Sequence, residues 1–113
     1  MHEMALTESL IALVEDAARE TGFSRAAALV VEIGALSHVD PAAIRFCFEA
    51  VSRGTIAEGA RLDIRHIPGA GWCLDCGKIV PLAERFGACP ECGCAHVQMT
   101  EGDQLRLKEV EIG

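Results

Sequence analysis

Apolar residues along the chain fall into blocks of two different periods. Leu6, Leu10, Leu13, Val14 and Ala17 recur at helical spacing, with Glu8, Glu15, Asp16 and Arg19 elsewhere on the wheel. Gly22 supplies a C-terminal stop. Ala26 to Gly34 follows, with Leu29, Val30, Val31 and Ile33. Its β-branched content and short length predict a buried strand, with a helix as the rival because of its three alanines. Asp40-Pro41 then predicts a helix start, Asp as N-cap and Pro at the first helical position. Ile44, Cys47, Phe48 and Val51 form one face of that helix, and Gly54 ends it.

The period changes to two over Arg61–Ile67. Leu62 and Ile64 take one face, and Arg61, Asp63 and Arg65 the other, as in a half-exposed strand. Pro68-Gly69-Ala70-Gly71 breaks the pattern and is expected to act as a hinge. After a cysteine-rich stretch, Trp72 to about His96, alternation resumes over Gln104–Ile112. Leu105 and Leu107 have one parity, Val110 and Ile112 the other, so a β-bulge is expected near Lys108 and Glu109.

The expected fold class is therefore α+β. About three strands form a sheet packed with two helices on one face, and a zinc-ribbon-like module is inserted in the chain. The strands flanking the module could pair as neighbours. The domain boundaries expected are 1–68 with 98–113 for the helix-and-sheet part, and 69–97 for the module.

Composition narrows the function. The chain has 113 residues, half of them apolar and 24% charged, enough for a real core without disulfides. Ten basic against seventeen acidic residues leave a net charge of −7, which argues against nonspecific nucleic-acid binding. The longest unbroken apolar run, Ala26–Val31, is far short of a membrane span. No basic segment with a hydrophobic core opens the chain, so a cytoplasmic protein is expected. Six cysteines in a reducing compartment point to metal before disulfides.

Four of those cysteines stand as Cys73-Leu-Asp-Cys76 and Cys89-Pro-Glu-Cys92, twelve residues apart, each pair followed by a glycine. A C-x-x-C turn aims two thiolates at one point. Two such turns make a tetrahedral sulfur site suited to structural zinc. Four thiolates close the coordination sphere, so a catalytic zinc with a bound water is disfavoured. The competitor is a single redox iron, as in rubredoxin-like modules. Those are usually rich in aromatics around the metal, whereas only Trp72 and Phe86 are near here and the chain has no tyrosine. A zinc-ribbon interaction module is the other alternative. Cys47 lies on an apolar helix face and is expected in the core. Cys94 is expected as a free thiol at the module tip rather than an exchanging ligand. His38 and His66 are expected as solvated or hydrogen-bonded residues at strand ends.

The chain opens Met1-His2-Glu3. Its α-amine, the amide nitrogen of His2 and the imidazole Nδ1 can bind one ion together in unstrained five- and six-membered rings. With a fourth donor from Glu3, that set suits square-planar Ni²⁺ or Cu²⁺. A Met-His-Glu start is, more commonly, simply a solvated terminus.

Together these segments resemble the hydrogenase nickel-incorporation family, HypA/HybF. The resemblance rests on Met1-His2-Glu3-Met4-Ala5-Leu6, on Val31-Glu32-Ile33-Gly34-Ala35-Leu36-Ser37, and on Val39-Asp40-Pro41 with Arg45-Phe46-Cys47-Phe48-Glu49. It continues through the paired C-x-x-C module to Gly102–Lys108, where Gly-Asp-Gln-Leu-Arg-Leu-Lys stands for the family's Gly-x-Glu-Leu-x-Val. It implies a non-enzymatic nickel metallochaperone for [NiFe]-hydrogenase assembly, in some organisms also serving urease. It implies Ni(II) bound transiently at Met1, His2 and Glu3, and structural Zn(II) at Cys73, Cys76, Cys89 and Cys92. The implied partners are a maturation GTPase of HypB type and the hydrogenase large-subunit precursor, with a homodimer as a further candidate assembly. Some relatives recruit a module histidine to the nickel site, and His96 does not clearly match it.

Overall fold

The computed structural model describes residues 3–113, so Met1 and His2, two of the three nickel candidates, lie outside the described residues. In chain order the elements are α1 (Glu3–Thr21), β1 (Ala26–Gly34), α2 (Pro41–Val51), β2 (Arg61–Ile67), β3 (Ala70–Cys73), β4 (Lys78–Pro81), β5 (Val97–Glu101) and β6 (Leu105–Ile112). They form two three-stranded sheets, ordered β2-β1-β6 and β4-β3-β5, and the fold is α+β.

The chain divides into two compact units. The first takes in residues up to Glu32, Val39–Arg65 and Arg106–Gly113. It holds both helices, which pack on each other. The α1 stripe that is buried is Thr7, Leu10, Ile11 and Val14. This rotates the predicted face, because Leu13 is exposed while the hydroxyl of Thr7 is buried and donates to the carbonyl of Glu3 at 2.7 Å. That internal bond satisfies the hydroxyl and so lets a polar residue take an apolar-facing position. α2 begins as its sequence dictates. The Asp40 carboxylate accepts from Ala42 N at 3.0 Å, Pro41 opens the first turn, and Ile44, Cys47 and Phe48 face inward. Cys47 is a core residue.

β1 is buried along almost its whole length. Leu29, Val31 and Ile33 share one parity and are buried. The side chains of Ala28, Val30 and Glu32 point to the other face. There Arg106 of β6 pairs with Glu32, and Arg61 of β2 reaches Glu111 of β6. A strand covered on both faces needs the continuous apolar run that the sequence shows. For the same reason β1 sits in the centre of its sheet. The strands flanking the cysteine stretch do not pair with each other, since β1 lies between β2 and β6. The parity change in β6 is present: Leu105, Leu107 and Val110 are half-buried, while Lys108 and Glu109 between them are both exposed.

The second unit takes in Ile33–His38 and His66–Leu105. β5 pairs with β3 and runs past residue 97, the expected end of the module. β3 pairs antiparallel with β4, Cys73 opposite Lys78 and Trp72 opposite Ile79. On its other edge β3 pairs with β5, Cys73 opposite Val97, with a register shift at Ala70/Gly71. Half of the expected hinge is therefore strand. Gly69 is also tied, its carbonyl accepting from Leu82 N at 3.0 Å. The small core of this unit is Cys73, Val80 and Cys89, with Cys76, Cys94 and Val97 packed around it.

Candidate metal centre

The four sulfurs of Cys73, Cys76, Cys89 and Cys92 come together within 4.8 Å of one another. β3 ends on Cys73 and β4 begins at Lys78, so the first C-x-x-C is the tight connection of a hairpin. The second follows a loop and ends just before β5. Both turns close alike. Gly77 N donates to the Cys73 carbonyl at 2.8 Å, and Gly93 N to the Cys89 carbonyl at 2.8 Å. Each of these glycines has a positive φ, +67° and +76°, which is why glycine follows each pair.

The sulfur separations test whether a tetrahedral ion fits. Cys73 Sγ is 3.6 Å from Cys92 Sγ, and Cys76 Sγ is 3.9 Å from Cys89 Sγ. A tetrahedron with zinc–sulfur bonds of about 2.3 Å has edges of about 3.8 Å. The donor set and its spacing therefore fit a closed zinc–thiolate centre. Backbone donors are already aimed at the sulfurs, Cys76 N at Cys73 Sγ (3.3 Å) and Glu91 N at Cys89 Sγ (3.4 Å). Lys78 Nζ bonds Glu91 at 2.6 Å and links the two turns.

These contacts order the thiols by acidity. Cys73 is drawn down to about 6, chiefly by the Cys76 backbone N–H on its sulfur and, against the effect of burial, by the neighbouring thiols. Cys76 is pushed above the usual thiol range, first by Cys92, then by Cys73 and by burial.

No aromatic shell surrounds the sulfurs among the described residues. Val80 and Val97 pack there, while Phe86 is 96% exposed and Trp72 is 40% exposed. The aromatic surroundings usual in rubredoxin-like modules are thus not found among the described residues. Cys94 differs from expectation too. It is half-buried, its sulfur 3.4 Å from Cys73 Sγ, and its carbonyl accepts from Cys89 N at 2.9 Å. It is therefore built into the centre's surroundings rather than standing free at a tip.

Of the nickel candidates only Glu3 is described. It opens α1, where a carboxylate is favoured by the helix dipole. His38 and His66 are exposed. His66 lies in β2 and His38 beyond the end of β1. His96 is 3.8 Å from Asp75, Nδ1 to Oδ1. No described helix is long and apolar enough to cross a membrane.

Four thiols converging from paired turns in an α+β chain define a protein with a closed thiolate cluster that could hold a metal ion. Residues 1–112 match the family described as hydrogenase/urease nickel incorporation, metallochaperone, HypA. The chain is 59% identical over 112 residues to the hydrogenase maturation factor HypA of Methylocella silvestris, covering 99% of each. Its identity to the HypA of Rhizobium leguminosarum bv. viciae is 54% over the same length and coverage. Among solved structures it resembles the Ni metallochaperone HypA from Helicobacter pylori, with a TM-score of 0.75 and 32% identity, over 99% of this chain and 97% of that one. The chain belongs to the HypA family, whose members are metallochaperones and maturation factors rather than enzymes.

Proposed function

We propose that this chain carries Ni(II) to the hydrogenase large-subunit precursor, holding it at Met1, His2 and Glu3, with structural zinc at Cys73, Cys76, Cys89 and Cys92. The observation that carries this reading is the four-thiol convergence in a chain that belongs to a nickel-incorporation family and begins Met-His-Glu. The two sites divide the chemistry. The terminal amine, the His2 amide and the imidazole are nitrogen donors in a compact chelate, which favours a d⁸ ion in a plane. Four thiolates favour zinc in a tetrahedron, so nickel and zinc are sorted by geometry as much as by affinity.

Zinc would supply folding energy to the small cysteine core. The chain's own residues do the rest. Cys76 N and Glu91 N hold two of the thiolates by hydrogen bonds. Val80 and Val97 pack with the cysteines in the small core. The nickel chelate, by contrast, uses the chain's end, which releases its cargo by reprotonation of nitrogen donors. A maturation GTPase of HypB type is the proposed partner in the transfer, the cytoplasm its place, and urease a second recipient in organisms that make it.

Delivery is tested by incubating the nickel-loaded chain with nickel-free large-subunit precursor, the GTPase and a chelator that scavenges free nickel. Nickel should appear in the precursor. If nickel reaches the precursor equally well without the chain, or never reaches it from the chain, the delivery role is wrong.

A further inference from the structure

Asp75, Cys94 and His96 form a second convergence of metal donors, outside the four cysteines. Their ligand atoms all lie within 4.8 Å of one another. We propose that these three residues form a second, exchangeable binding site for a thiophilic divalent cation of the zinc class, beside the closed four-cysteine centre.

The two C-x-x-C turns assemble this site as a by-product of their own geometry. Asp75 is the inner residue of the first turn, and Cys94 and His96 follow directly on the second. Leu74 N donates to the His96 carbonyl at 3.0 Å, and Cys89 N to the Cys94 carbonyl at 2.9 Å. Those two bonds fasten the segment carrying Cys94 and His96 to both turns. Asp75 Oδ1 and His96 Nδ1 are 3.8 Å apart, too long for a good hydrogen bond and suited to two ligands of one ion.

The donor set decides the ion class. One thiolate, one imidazole and one carboxylate suit borderline ions such as Zn²⁺ and Co²⁺, and not Mg²⁺ or Ca²⁺, which take oxygen ligands. Three protein ligands leave a coordination position open, as in exchangeable or catalytic zinc sites. The His96 and Asp75 side chains are 70% and 56% exposed, so an ion can enter and leave. The four-cysteine set has its fourth ligand in Cys92, so Cys94 is not needed there. With Cys94 Sγ 3.4 Å from Cys73 Sγ, the two ions would be neighbours.

The test uses the full zinc-loaded chain with Co²⁺ as probe. Thiolate-to-cobalt charge-transfer absorption marks a sulfur ligand, and the proposed nickel donors contain no cysteine. Zinc content is measured before and after the titration. One equivalent of cobalt should bind with a single-thiolate band and no zinc released. Cys94→Ser should abolish the band with zinc unchanged. His96→Ala should weaken cobalt binding by at least the roughly tenfold that loss of even an outer-shell partner costs. The proposal is overturned if zinc-retaining protein gives no thiolate band, if the band survives Cys94→Ser, or if cobalt displaces zinc one for one. Loss of zinc from Cys94→Ser would also overturn it, by making Cys94 a ligand of the first centre. A chain that holds no zinc at the outset would contradict the four-cysteine zinc reading alone; cobalt then fills the four cysteines first, and the thiolate absorption added by a second equivalent, present in the native chain and lost in Cys94→Ser, decides this one.

Discussion

Glu32 and Arg106 join two neighbouring strands through their side chains, and with them two segments far apart in sequence. Oε1 of Glu32 accepts from Arg106 Nε at 2.9 Å and from Nη2, while Lys108 Nζ stands 3.9 Å from Oε2. The carboxylate is buried in the central strand, so the pair is what permits a charge there. The Arg106 hydrogen bond holds the Glu32 carboxyl below its usual 4.5, against the opposing effect of burial, helped by the charges of Arg106, Lys108 and Arg65.

A depressed carboxylate stabilises the fold fully above its unfolded value and loses that contribution as pH falls through its folded value. Glu32→Gln should therefore lower Tm near neutral pH. The gap between variant and native protein should narrow as pH drops below about 4.5. Thermal unfolding from pH 3 to 7 measures this, and an equal gap at every pH would remove Glu32 from the account.

Gly34 and Gly102 meet backbone to backbone. A Cβ on Gly34 would run into the carbonyl of Gly102 and stand 2.7 Å from Asp103 N. Two short bonds lock the approach, Gly34 N to Gln104 O at 2.7 Å and Leu36 N to Gly102 O at 2.6 Å. Gly34→Ala should cost about 3 kcal/mol or more, since rigid backbone cannot give way as a side chain can. Urea unfolding would show it as a lowered midpoint, and a cost under about 0.5 kcal/mol would contradict the close approach.

Asp40→Ala removes the oxygen that accepts from Ala42 N at 3.0 Å. The loss should be about 1 kcal/mol, with metal content unchanged. Denaturation with parallel metal analysis checks both halves.

Much of this fold is legible in the sequence where local chemistry decides. Asp40-Pro41 caps α2 because cap and proline act within one turn. Ala26–Gly34 is read as a strand over the observed residues because a strand buried on both faces needs an apolar run. The four cysteines are found by spacing alone, because their C-x-x-C turns are local. What is not legible depends on partners distant in sequence. β3, β4 and β5 are only four or five residues each, and they are defined by pairing with one another rather than by alternation. The α1 face is misjudged because Leu13 and Ile11 offer competing stripes, and a self-bonded Thr7 settles between them. Asp75, Cys94 and His96 follow no local metal-ligand spacing, so only the folded turns bring them together.

Cys89→Ser should remove zinc and loosen the cysteine-bearing unit, because its sulfur is both buried and one of the four converging donors. Trp72 in β3 is the chain's one tryptophan, so its emission reports on that unit directly. A red-shifted emission with loss of zinc is expected, since metal binding supplies much of a small module's folding energy. A variant that keeps a full equivalent of zinc and native emission would refute the four-cysteine assignment.

Nickel titration of the untagged chain against the same chain acetylated at its N-terminus tests the central claim most directly. The native chain should bind one nickel tightly and, if the donors are coplanar, as a diamagnetic ion. Affinity should fall steeply below about pH 6.5, where the imidazole protonates. Acetylation should abolish tight binding and leave the zinc content untouched, and His2→Ala should do the same. An acetylated chain that binds nickel with unchanged affinity would contradict the terminal site, and with it the assignment of nickel to Met1, His2 and Glu3.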